Sequence, residues 1–150
     1  MVFPQIELVL LESTHKKAYF LRHMIQVLAL ERVTVVSSRA EEAAHQPEYR
    51  QQFDAVVTRG LAKMDTLAEL TLPFCRKGGY LIAQKKGDND EEMRSSANAI
   101  NTLGGGSAKF KSVEIPEFTD KRCLVIVPKV ADTPARFPRR PGIPAKRPLA

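Results

Sequence analysis

Cysteine and histidine are scarce in this chain, with two and three among 150 residues. Cys75 and Cys123 show no metal-ligand spacing, so they read as reduced, buried thiols, Cys75 in a helix end and Cys123 at a strand start. His15, His23 and His45 have no partner pattern for metal binding or proton transfer and read as surface residues. No apolar stretch is long enough to cross a bilayer, and Met1 to Leu11 carries neither a basic leader nor a small-residue cleavage site. A cytoplasmic location is the resulting expectation, with no membrane and no metal among the partners. Asp88-Asn89-Asp90 opens like a calcium loop, but the glycine and distal glutamate of that pattern are not in place, and an acidic helix start fits better. The chain also lacks an internal repeat.

What the chain does have is length for one sizeable core and an uneven charge. Its net charge is +6, yet from Lys129 onward six Lys or Arg face a single acid, Asp132. The basic character belongs to the end of the chain, the footprint expected for a polyanion partner or, more plainly, for a solubilising or disordered end.

The organising stretch is Ile6 to Glu12, an apolar run of strand length that ends in an acid and leads into a helix pattern over residues 14–30. Ala18, Leu21, Ile25 and Leu28 share one face of that helix, and Lys16, His23 and Gln26 another. In doubly wound sheets a carboxylate at such a strand tip accepts the ribose hydroxyls of adenosine cofactors. Glu12 fits that role, and equally that of an ordinary acid at a helix start. A second buried strand follows at Val33 to Val36. After it, Ser37 to Glu42 is either a loop that closes over a planar ligand or a short helix capped by Ser38. Pro47 breaks any long helix in the polar stretch beyond.

Phe53 to Thr58 repeats the strand pattern and puts Arg59 at its tip beside Gly60, as a solvated charge or as a group facing a ligand. Leu61 to Phe74 predicts a helix stopped by Arg76-Lys77-Gly78-Gly79. Tyr80 to Ala83 is the next strand, with a polar exit over residues 84–87, and a helix over residues 90–103 ends at Gly104-Gly105-Gly106. Three glycines after a helix favour a C-cap and turn over a phosphate cradle. Phe110 to Ile115 and Cys123 to Val127 are strands with no helix between, and the Pro116 to Arg122 connector is too short for a parallel crossover, so this pair must be antiparallel. The alternation predicts an α/β fold, a mostly parallel sheet with helices on both faces and a C-terminal antiparallel hairpin.

Four segments carry a resemblance. Glu12-Ser13-x-x-Lys16-Lys17-x-x-Phe20-Leu21, Arg39-Ala40-Glu41-Glu42, Phe53-Asp54-x-Val56-x-Thr58-Arg59 and the ending Phe137-Pro138-Arg139-Arg140-Pro141-Gly142-Ile143-Pro144-x-Lys146-x-Pro148-Leu149 resemble, in order, the bacterial small-subunit ribosomal RNA methyltransferase G family, also called GidB-like. The resemblance implies a Rossmann-like class I methyltransferase sheet and S-adenosylmethionine-dependent N7-methylation of a guanine in 16S ribosomal RNA. Its partner would be that RNA or the small ribosomal subunit, and the complete protein would be a monomer. Glu12, with Ser13 beside it, would hold the cofactor ribose, Ala40 and Glu41 would border the adenine, and Arg59 would line the cofactor or target pocket. Guanine N7 has a free lone pair and no proton, so the absence of a nucleophile–base pair is consistent with this chemistry. The terminal hairpin and basic tail argue against a nicotinamide oxidoreductase, which would share the acidic strand tip.

Three departures stand out. Glu12 replaces the more usual Asp, and Gly60 the more usual Ala. More seriously, the fold's first strand and glycine-rich turn, which belong between the strands at 6–11 and 53–58, do not precede Ile6. Residues 1–130 are therefore expected to form a partial S-adenosylmethionine-dependent methyltransferase domain, about the C-terminal two-thirds of a family member. If Met1 is the true start, weak or absent cofactor binding and a poorly stable monomer follow, and a noncatalytic RNA-binding remnant becomes the alternative reading. Residues 131–150 hold five of the ten prolines interleaved with basic residues, which predicts an extended tail rather than a core element. Arg136, Arg139, Arg140, Lys146 and Arg147 are the expected RNA contacts. A second expectation, not exclusive of the first, is that the tail packs back along the domain with Phe137 and Leu149 as anchors.

Overall fold

The computed structural model describes residues 3, 5–87, 90–113 and 122–149. In chain order its elements are β1 (Leu8–Glu12), α1 (His15–Val27), β2 (Val33–Ser37), α2 (Ala40–Ala43), β3 (Phe53–Arg59), α3 (Met64–Thr71), β4 (Cys75–Lys86), α4 (Asp90–Thr102), β5 (Lys109–Val113), β6 (Arg122–Pro128) and α5 (Ile143–Lys146). The first part of the calcium-like stretch and most of the Pro116 to Arg122 connector lie outside the described residues.

The strands form two sheets rather than one. β1 and β2 pair in parallel, with Leu8 opposite Val33 and Glu12 opposite Ser37. The other four run in the order β3-β4-β6-β5, parallel between β3 and β4 and antiparallel on either side of β6. The expected hairpin is present, and β6 slots between β4 and β5. Among the described residues β1 and β3 each have one strand neighbour, so each leaves one edge unpaired. This break falls between the two strands that the sequence reading sets on either side of the fold's first strand.

The core lies between the four-stranded sheet and α3 and α4. Met64, Leu67, Leu72, Leu81, Leu103, Val125 and Val127 are fully buried in it. Helices were expected on both faces of the sheet. α1 packs on β1 and β2, and the second face of the four-stranded sheet stays open, with Val57 72% and Tyr80 49% exposed.

Two turns depart from the sequence reading in instructive ways. The Arg76 to Gly79 stretch does not end a helix. α3 tightens into a 3-10 turn at Leu72–Phe74, and β4 already begins at Cys75, which pairs with Phe53. Between Phe53 and Ala55 the pairing jumps from Cys75 to Tyr80, so the basic and glycine residues form an irregularity inside a long strand. Gly79 is required there because a Cβ would meet the Asp54 carbonyl oxygen at 2.7 Å. Gly104 to Gly106 does cap a helix. Gly104, at φ +83°, and Gly105 donate to the carbonyls of Asn101 and Ile100 at 3.0 and 2.8 Å, the Schellman arrangement.

The tail departs most. Residues 131–149 are not the extended segment of the first expectation; they pack back along the domain with Phe137 and Leu149 as anchors, as the second has it. Phe137 is 4% exposed, Pro138 and Pro144 are fully buried, and Leu149 packs against the main core. The reason is a set of polar partners that the sequence does not advertise. The Arg50 guanidinium donates to the carbonyls of Ala44, Thr133, Pro134 and Phe137. Lys129, 1% exposed, donates to the Leu72 carbonyl at 2.6 Å and to the Thr133 hydroxyl. Proline removes donors from the tail, and Arg50 satisfies three of its carbonyls while Lys129 holds the Thr133 hydroxyl.

Candidate functional site

Glu12 closes β1, and its Oε1 accepts the Thr14 N–H at 2.8 Å, two residues on and one before α1. The carboxylate thereby serves the start of α1, which has no side-chain cap of its own. That backbone hydrogen bond, aided by the Thr14 hydroxyl, the Lys17 charge and the Ser13 N–H, holds the Glu12 carboxyl below its ordinary value. An ionised, partly exposed acceptor at a strand tip is what binding two ribose hydroxyls requires.

Ser13 is exposed beside it, and Ser37, opposite Glu12 in the register, places its hydroxyl 3.2 Å from His15 Nδ1. Ser38 does not cap α2. Arg39 holds the N-cap position with no side-chain bond, while the Ser38 hydroxyl donates to the Arg39 carbonyl at 3.3 Å. Ala40, half-buried, opens α2. Glu12, Ser13 and Ala40 thus gather at the carboxyl end of the β1–β2 sheet. Glu41, expected with them, turns toward the tail. It is 9% exposed, and its Oε1 accepts the Gly142 N–H at 2.9 Å.

Arg59 lies exposed at the carboxyl end of β3, opposite Gln84 of β4, and Gly60 turns the chain at φ +62°. Two features here escaped the sequence reading. Thr58 Oγ1 is buried with no hydrogen-bond partner among the described residues, a polar atom left open at the strand tip next to Arg59. Lys85 reaches from the end of β4 to the Ala62 carbonyl at 2.9 Å and to Glu92 Oε1 at 2.6 Å, and Glu92 Oε1 also accepts the Met64 N–H at 2.5 Å. This node ties the loop after Arg59 to β4 and α4. The only sequence signal for it was an acid in the first turn of a helix that follows two lysines.

Of the five expected RNA contacts, Arg136, Arg140, Lys146 and Arg147 are exposed, with Arg136 5.0 Å above the Phe137 ring. Arg139 serves the fold instead. Its Nε and Nη2 meet both oxygens of Glu69, which is fully buried, at 2.6–3.1 Å, and its backbone N–H adds a bond at 2.8 Å. The guanidinium is held above its ordinary value by those side-chain bonds. A buried carboxylate needs a partner, and Arg139 supplies it.

Among the described residues no cluster of His, Cys, Asp or Glu is suited to a metal, and no helix is long and apolar enough to cross a membrane. Solved methyltransferases share the fold. An rRNA methylase from Streptococcus thermophilus is 16% identical with a TM-score of 0.55 over 82% of this chain and 73% of its own. TYW2 of M. jannaschii in complex with AdoMet is 11% identical, with a TM-score of 0.56 over 81% of this chain and 57% of its own. The chain therefore has a Rossmann-like class I methyltransferase fold. Sequence relatives are nearer. "Ribosomal RNA small subunit methyltransferase G" of Dehalococcoides mccartyi (strain CBDB1) is 51% identical over 99% of this chain and 63% of its own length. That of Moorella thermoacetica is 44% identical over 97% of this chain and 61% of its own. The chain thus spans under two thirds of these relatives. Residues 1–123 match the family described as rRNA small subunit methyltransferase G, and the chain belongs to that family.

Proposed function

We propose that this chain carries the adenosine-binding end and the RNA-facing end of an S-adenosylmethionine-dependent methyltransferase acting on guanine N7 of 16S ribosomal RNA. The observation that carries the reading is Glu12, an ionised carboxylate at the tip of β1 with Ser13 and Ala40 beside it. These residues fit the ribose and adenine of the cofactor, and the buried Thr58 hydroxyl, without a hydrogen-bond partner among the described residues, and Arg59 stand at the neighbouring strand tip. The cofactor would supply a methyl group on a positively charged sulfur.

The chain's own contribution is position and charge. N7 attacks through its lone pair without losing a proton, so no side chain has to act as a base. Glu12 would hold the ribose, Ala40 would leave room for a flat base, and Arg59 would bind the phosphate or target nucleotide. The Lys85–Glu92 node would keep the loop after Arg59 in place. Arg136, Arg140, Lys146 and Arg147 would track the phosphates of the RNA or the assembled subunit. The complete protein would work as a cytoplasmic monomer without a metal.

Calorimetric titration of the 150-residue chain with S-adenosylmethionine tests this. Micromolar binding that weakens about tenfold or more in Glu12→Ala supports it, as expected when a charged acceptor of two hydroxyls is removed. A second reading, a noncatalytic RNA-binding protein, is favoured by the unpaired edges of β1 and β3, between which the methionine end of the cofactor would need its floor. Ribosomal RNA binding without any cofactor binding would decide for it.

A further inference from the structure

A cleft of about 700 Å³ opens between α2 and the tail, and Glu12, Ser13, Ala40 and Arg59 all stand outside it. Its volume lies within the range of small-ligand sites, about 300–1,000 Å³. Glu41, Glu42 and His45 form one wall, and the tail from Arg136 to Ile143 supplies the other. Both walls are fixed by the fold itself. The Gly142 N–H donates to Glu41 Oε1 at 2.9 Å, His45 Nε2 donates to the Pro138 carbonyl at 2.8 Å, and Arg139 is clamped on Glu69 of α3. A ligand entering the cleft therefore has little protein to order.

Those bonds occupy Glu41 and Arg139 and leave Glu42, Arg136 and Arg140, all exposed, to face a ligand. Among the described residues the Glu42 carboxylate has one hydrogen bond, a long one of 3.5 Å from the Ser38 hydroxyl. Arg136 sets its guanidinium 5.0 Å from the centre of the buried Phe137 ring. A guanidinium backed by an aromatic ring on one side is a platform for a flat base on the other. Opposite charges on one cleft narrow its occupant: the carboxylate repels a bare phosphate, and the two arginines repel a simple cation. What matches all three is a ligand with adjacent N–H donors at one end, a flat π surface and a negative charge at the other end. Of the four RNA bases, guanine alone presents two adjacent donors, N1–H and N2–H, on its Watson–Crick edge, and a carboxylate accepts such a pair with its two oxygens.

We infer that the cleft between α2 and the tail binds one unpaired guanine nucleotide of the RNA, other than the one methylated. Glu42 accepts its N1–H and N2–H, Arg136 stacks on the base, and Arg140 meets a phosphate. This role rests on the RNA-methyltransferase reading and sharpens it, because Glu42 becomes a residue that selects sequence where the arginines alone would hold any polyanion. The methylated guanine is a different nucleotide, since its N7 has to reach a cofactor held by residues that do not line the cleft.

Fluorescence anisotropy of this chain tests it, with labelled short oligouridines that carry one central guanosine, inosine, adenosine or 7-deazaguanosine. The guanosine RNA should bind about tenfold tighter than the inosine RNA, which lacks the N2 amino group, and than the adenosine RNA. The 7-deazaguanosine RNA keeps N1–H and N2–H but has no N7, and should bind as tightly as guanosine. Glu42→Ala should remove the preference for guanosine over inosine, and Arg136→Ala should weaken every RNA about tenfold by taking away the stacking platform. Both side chains are exposed, so the variants keep the fold. Guanosine monophosphate should compete at least about tenfold more weakly than the guanosine RNA, because it lacks the neighbouring phosphates. A preference for guanosine that survives Glu42→Ala, or that 7-deazaguanosine loses, overturns the proposal, and so does equal competition by the free nucleotide. Binding that ignores the base overturns it while leaving the tail as a polyanion contact, whereas no RNA binding at all overturns the RNA-facing reading of the tail with it. Anisotropy is read without cofactor, so failure of cofactor binding is a separate result.

Discussion

The tail and the four-stranded sheet exchange the roles that their compositions suggest. Residues 131–149 are rich in proline and arginine, yet they bury Phe137, Pro138 and Pro144 and hold a bidentate ion pair. The sheet is rich in valine, leucine and isoleucine, yet it leaves Val57 largely in water. Composition sets what a segment gains from a partner, and the fold decides whether the partner is there. The tail finds Arg50, Glu69, Lys129 and Glu41 waiting with donors and acceptors, whereas one face of the sheet finds no helix among the described residues.

The contrast breaks most visibly at Arg139. Arg139→Ala leaves Glu69 buried without its partner, and should cost about 3–5 kcal/mol of stability in urea unfolding. Arg140→Ala, one residue on and exposed, should change stability by less than about 0.5 kcal/mol. Equal effects would mean that the ion pair does not hold the tail. Valine gives the next comparison. Val125→Ala, in the buried face, should cost about 2 kcal/mol, and Val57→Ala in the isolated chain close to nothing. A Val57 cost approaching that of Val125 would show that the open face is covered in solution.

Much of this was legible from periodicity. Five of the six strands, and the helices at 15–27 and 90–102, fall within a few residues of the sequence reading, because buried runs and helical faces are written in local pattern, whereas β4 starts at Cys75 inside what reads as the end of a helix. Non-local partners were not. Nothing near Arg50 says that its guanidinium will satisfy four carbonyls, three of them more than 80 residues away. Gly78-Gly79 has the form of a helix C-cap, and only the approach of the Asp54 carbonyl makes it part of a strand. At the site, Glu12 was marked by its place at a strand end, whereas the Thr58 hydroxyl matters only because no partner reaches it. Glu41 was read with the adenine loop because it is adjacent in sequence, and the Gly142 N–H takes it elsewhere.

A smaller effect sharpens the comparison through pH. Burial pushes the Lys129 ammonium down to about 8 from 10.5, against an opposing pull from Cys75, and burial pushes the Cys75 thiol up from 9.0 to about 12. Between pH 8 and 10.5 the unfolded lysine holds a proton that the folded one has lost, so stability rises with pH. Above pH 9 the folded thiol keeps a proton that the unfolded one loses, so stability falls. Together they predict a rise of about 0.5–1 kcal/mol from pH 8 to 9, a plateau near pH 10 and a decline beyond, read from urea midpoints. Lys129→Met should remove the rise and keep the decline. A rise that survives Lys129→Met would place its origin outside the tail's anchor.

The smallest effect on stability is the most telling about function. Arg140 is exposed, and among the described residues no hydrogen bond to the fold holds its side chain, so Arg140→Ala separates RNA contact from tail packing, which Arg139→Ala does not. If Arg140 meets a phosphate, affinity for a 16S ribosomal RNA fragment should fall at every salt concentration, and the slope of log affinity against log salt should shrink by about 0.7–0.9. An unchanged slope with unchanged affinity would leave the tail as a strap that completes the core, and RNA binding would then have to rest on the basic border of the open sheet face, where Arg59, Lys109 and Lys111 stand.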